Sequence, residues 1–93
     1  MTLQQRFEQY RDDFLNFELV HPKQSNRPDL HAFLLLDRLQ PGDSDIVNSA
    51  EHDEIGLDID HDDLNEVISD DQIQELVRCG VRFGEYGHLM MFV

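Results

Sequence analysis

Apolar residues recur at two different periods along this 93-residue chain. Leu3, Phe7, Tyr10, Phe14 and Phe17 alternate spacings of four and three, which places them on one stripe of a helix of about four turns. Gln4, Gln5, Glu8, Arg11, Asp12 and Glu18 fall elsewhere around it, and His21-Pro22 ends it. The segment HPKQSNRPD, two prolines in a polar run, predicts a loop. Asp29 then stands at the N-cap position of LHAFLLLDRL, whose unbranched leucines favour a helix, with a buried strand as the alternative. That helix is apolar on nearly every side, so it is expected to lie centrally, and Gln40-Pro41-Gly42 stops it.

The period changes to two in EIGLDID, which predicts a half-buried strand over 54–59. Ile55, Leu57 and Ile59 face inward there, and Asp58 and Asp60 share the other side. The preceding DSDIVNSAEH predicts a short helix or irregular turn. A helix starting near Asp60 to Asp62 carries Leu64, Val67 and Ile68. Ser69, with Gln72 three residues on, has the spacing of a capping box and opens a further helix with Ile73, Leu76 and Val77 on its apolar face. Gly80 sits where a left-handed C-cap belongs. The close of the chain, VRFGEYGHLMMFV, reads as a hairpin of strands 81–84 and 88–93 around a glycine-containing turn. The whole predicts one α+β domain over residues 1–93, a small antiparallel sheet of three strands covered on one face by several helices.

Charge changes the functional picture more than the fold. The net charge is −13, and it is uneven: residues 1–40 hold six acids and five bases, residues 41–93 fourteen acids and only Arg78 and Arg82. Asp43 to Glu75 holds thirteen acids and neither lysine nor arginine. Direct binding to nucleic acid or an anionic membrane needs a basic footprint, so neither is expected. The longest apolar run, AFLLL, is too short to span a bilayer, and the first residues lack the apolar stretch of a secretory leader; a cytoplasmic protein is expected. A single cysteine, Cys79, excludes an internal disulfide and multi-cysteine zinc motifs.

Candidate chemistry concentrates in AEHDEIGLDIDHDD. A calcium loop counted from Glu51 puts Asp53 at position 3, Gly56 at 6 and Asp62 at 12, but Ile55 occupies a ligand position and the same residues alternate as a strand. Asp58, Asp60 and His61 form the candidate divalent-metal set of a small metal-dependent enzyme. Cys79 is a candidate nucleophile with His31, His52, His61 or His88 as base, yet no catalytic signature surrounds it and a buried structural thiol is expected. Asp62, Asp63, Asp70 and Asp71 fall in first helical turns, where each carboxylate stabilises a helix by about 0.3 to 1 kcal/mol. The remaining acids have no such local reason. Glu51, Asp53, Glu54, Asp58 and Asp60 are therefore read as an acidic face for a protein partner with a basic surface, with no cofactor implied. A third reading has the aromatic stripe mediate self-association into a homo-oligomer.

At RPDLHAFLLLDRL, AEHDEIGLDID, ELVRCGVRF and the terminal LMMFV, the chain resembles small uncharacterised proteins encoded by tailed phages and prophages. The resemblance spans most of residues 27–93 and carries over no catalytic residue. It implies a phage or mobile-element setting in a bacterial host. It also implies an accessory role, since small acidic phage proteins often occupy basic surfaces of host nucleases, restriction enzymes or CRISPR effectors, mimicking nucleic acid.

Overall fold

Thr2 opens the first helix through a capping box: its Oγ1 accepts from the Gln5 N–H (3.2 Å), and Gln5 Oε1 accepts from the Thr2 N–H (2.9 Å). The computed structural model, which describes residues 1–84 and 87–93, gives this helix, α1, as Leu3–Glu8. The expected four-turn helix is thus corrected to less than two turns. The chain continues in two 3-10 turns, Arg11–Asp13 and Phe17–Leu19, and Leu15 adopts a left-handed φ of 66°. The cause is tertiary. The Leu15 N–H donates to the Val77 carbonyl (3.2 Å), and Asp13 accepts from Gln74 Nε2 (2.9 Å), so this segment bonds to a later helix instead of continuing its own. The aromatic stripe still turns inward: Leu3 and Phe7 are buried, and Tyr10, Phe14 and Phe17 are half-buried against the same core.

Helix α2, Pro28–Leu39, begins two residues earlier than expected. Arg27 holds the N-cap position and Pro28 the first helical one, where a missing N–H costs nothing; Asp29 lies in the first turn. The helix buries His31, Ala32, Leu35 and Leu36 but leaves Leu30 and Leu34 more than 40% exposed, so it is peripheral and not central. A domain of this size lacks the volume to enclose a helix on every side.

The largest departure is DSDIVNSAEH, which contains a strand where a helix or turn was expected. Strand β1, Val47–Glu51, pairs antiparallel with β2, Glu54–Leu57, across a two-residue loop in which His52 takes a φ of 54°. Asn, Ser, Ala and Glu have weak strand propensity, and pairing with β2 overrides it. The register shifts between Val47 and Ser49. Strand β2 ends at Leu57, short of the expected Ile59: the Asp58 N–H still donates to the Ile46 carbonyl (2.7 Å), but the Ile59 N–H turns back onto the Leu57 carbonyl (3.0 Å), and Ile59 packs against the core.

Helices α3, His61–Val67, and α4, Asp70–Arg78, follow. The expected Ser69–Gln72 capping box is present. Leu64 and Ile68 are buried, whereas Val67 is exposed, because these two residues, four apart, define the inward stripe. Gly80 has the left-handed φ, 101°, anticipated for it, and a Cβ there would lie 2.9 Å from Leu15 Cδ2. Strands β3, Val81–Phe83, and β4, Leu89–Phe92, pair Val81 with Met91 and Phe83 with Leu89. The middle of the expected turn, residues 85 and 86, lies outside the described residues.

The result is an α+β fold with a four-stranded antiparallel sheet ordered β1-β2-β4-β3. Leu57, Val81, Leu89 and Met91 from the strands meet Leu35, Leu36, Leu64, Ile73 and Leu76 from the helices in one core. No helix among the described residues is long and apolar enough to cross a membrane.

Candidate functional site

The five acids read as one face are separated by the fold. Glu51 and Asp53 are exposed at the tip of the β1–β2 hairpin. Glu54, beside them, is neutralised: Arg82 Nη2 lies 2.7 Å from each of its carboxylate oxygens. Asp58 is exposed at the other end of β2, about 13 Å along the strand from Glu54. Asp60 has a structural task, since its Oδ1 accepts from the Asp63 N–H (3.0 Å) and caps α3. The hairpin tip is therefore one acidic patch, and the loop end of β2 is another.

The second patch is concave. Asp37, Asp45, Asp58 and Asp60 line a hollow of about 300 Å³ with Gln40, Pro41, Gly42 and Ile46. Gln40 closes its floor by bonding both backbone groups of Asp60, accepting from the N–H (2.8 Å) and donating to the carbonyl (3.0 Å). His61, the third member of the candidate metal set, is turned away and stacks edge-on against Phe83 with ring centroids 5.0 Å apart. Among the described residues, no three carboxylate, imidazole or thiol side chains converge as a metal site. Asp58, Asp60 and His61 are neighbours in sequence, but Asp58 is exposed, Asp60 caps α3 and His61 packs on Phe83.

Elsewhere the fold assembles a polar group around His31, which the sequence offers only as one of four candidate bases for Cys79. His31, wholly buried, has Nε2 2.6 Å from Glu75 Oε2, and its Nδ1 accepts from the Gln24 N–H (3.0 Å). A backbone N–H can only donate, so the ring proton belongs on Nε2, directed at Glu75. Phe17 packs edge-on to the imidazole at 5.8 Å, with Lys23 Nζ 4.8 Å from the centre of that phenyl ring. Both imidazole nitrogens are thus committed to structure. Only the histidine among the leucines of α2 hinted at this; its partner lies 44 residues away.

Cys79 lies one residue before Gly80 and is buried, as expected. Burial, and then the Glu75 carboxylate nearby, push its thiol up to about 12. A thiolate is therefore suppressed at neutral pH, the reverse of what a nucleophile needs. A thiol reagent should leave native Cys79 unmodified and label it rapidly after denaturation; fast native labelling at pH 7 would contradict this environment. Since the unfolded thiol ionises near its ordinary value of 9.0, the native state keeps the proton longer. Stability should be unaffected below pH 9 and fall from there toward pH 12, and Cys79→Ala should reduce that slope.

Comparison with family models, curated proteins and solved structures gives no match to this chain.

Proposed function

We propose that this chain is a non-enzymatic accessory protein of phage or prophage origin that binds a basic protein surface through the acids around its β1–β2 hairpin, in the manner of a nucleic-acid mimic. One observation carries the reading. Of the thirteen acids between Asp43 and Glu75, Glu54 and Asp70 pair with Arg82 and Arg6, and Glu75 is hydrogen-bonded by His31. The other ten have no base within 4.0 Å among the described residues. Some are accounted for as helix caps and first-turn residues, but Asp43, Asp45, Glu51, Asp53 and Asp58 are exposed and have no such role. Their mutual repulsion lowers stability, and a partner of opposite charge relieves it.

The test uses immobilised chain and bacterial lysate fractionated on a phosphate-bearing resin, which enriches basic proteins. Specific retention should fall steeply as salt rises through the range where the screening length is about 8 to 10 Å. It should also fall with Glu51→Lys, Asp53→Lys and Asp58→Lys, and double-stranded DNA should compete for the same partner. These substitutions should leave the thermal transition in place, since the three side chains are exposed. A partner whose retention is indifferent to salt, to these reversals and to DNA refutes the acidic-surface reading.

A further inference from the structure

The two edges of the sheet are unequally protected. Strand β3 is short, Val81 is fully buried, Phe7 packs edge-on to Phe83 at 5.4 Å, and Arg82 Nη1 donates to the Phe83 carbonyl (3.2 Å). Strand β1 has no comparable cover: all five residues, on both faces, are exposed. It carries no proline and no lysine, and its one irregularity, the register shift between Val47 and Ser49, leaves Ser49 to Glu51 in regular register. Its backbone direction follows from the register. Asp53 accepts from the Val93 N–H (2.8 Å) on the β4 side, so alternation turns the backbone groups of Glu54 and Gly56 toward β1, where they face Glu51 and Ser49. Ala50, between those two, points its N–H and carbonyl outward.

We propose that the open edge of β1 receives an extended, basic segment of a partner protein as a fifth strand, an inference that rests on the acidic-surface reading above. Charge complementarity selects this occupant. Asp43 and Asp45 precede the strand, and Glu51 and Asp53 end it, all exposed, so a segment of five to seven residues lying along it meets carboxylates at both ends. A second copy of the chain is the wrong occupant, because each copy carries −13 and would set these acids against their own kind. Backbone bonds would supply affinity in such a complex, and the flanking acids the preference for lysine or arginine.

The probe is an end-capped heptapeptide with lysine at both ends and alternating valine and threonine between. A control places proline at its centre, keeping the charge but removing a backbone donor; a second replaces the lysines by glutamate. The lysine peptide should bind and slow hydrogen exchange at the Ala50 amide, while both controls bind at least tenfold more weakly. Ala50→Pro in the chain should have the same tenfold effect and remain folded, because that N–H points away from β2. Should that variant not fold, the peptide comparison decides alone. Equal binding of the lysine and proline peptides, without protection at Ala50, overturns strand addition and leaves the acidic surface standing. Failure of both to bind overturns strand addition and the acidic surface together. Protection of Ala50 that rises with the concentration of the chain alone overturns the proposal in favour of a second copy.

Discussion

Replacing Arg6 with alanine should destabilise the chain by about 2 to 4 kcal/mol, a loss of roughly 10 to 25 °C in melting temperature for a domain of this length. The Arg6 guanidinium reaches from α1 into the joint between α3 and α4. There it donates to the Asn65 carbonyl (2.9 Å) and Asn65 Oδ1 (2.7 Å) through Nη1, to the Ile68 carbonyl (2.8 Å) through Nη2, and to Asp70 Oδ1 through Nη2 and Nε (3.0 and 3.3 Å). Its side chain is only 18% exposed, whereas that of Asp70 is 59% exposed. The carbonyl bonds therefore outweigh the ion pair. Asp70→Ala should cost less than about 1 kcal/mol, the ordinary worth of an exposed pair. Arg6→Lys should restore less than half of the loss, since a single ammonium cannot span acceptors that a planar fork reaches together. Urea unfolding of the three variants checks the ranking; equal losses for Arg6→Ala and Asp70→Ala would show that the ion pair, and not the carbonyl stitching, holds the joint.

His31→Ala is the second large effect, again about 2 to 4 kcal/mol. The substitution leaves a hole in the core beside Phe17 and takes the acceptor from the Gln24 N–H. Glu75 is less affected, because its side chain keeps 23% exposure and water can replace the lost donor. Glu75→Gln, which retains an acceptor for the imidazole N–H, should cost about 1 kcal/mol or less. The difference measures packing and neutral hydrogen bonding against charge. If Glu75→Gln proved as damaging as His31→Ala, a charged pair would be the main contribution of this group.

The sequence alone determined the parts of this protein that depend on neighbours a few residues apart. The Ser69–Gln72 box, the left-handed Gly80, the inward faces of α4 and β2 and the terminal pair of strands all follow from capping chemistry or from periods of 3.6 and 2, which act within one or two turns. The uneven charge was equally legible. Tertiary structure decided the rest. It ended α1 at Glu8 by bonding Leu15 and Asp13 to α4, although the apolar spacing continued as a helix to Phe17. It made Val47–Glu51 a strand despite weak propensity, because β2 offered a row of backbone partners across a two-residue loop. It also divided one acidic run into an ion pair at Glu54, a cap at Asp60 and free carboxylates at Glu51, Asp53 and Asp58. A residue's charge is written in the chain. Whether that charge is neutralised depends on a partner such as Arg82, 28 residues from Glu54, that only folding brings within reach.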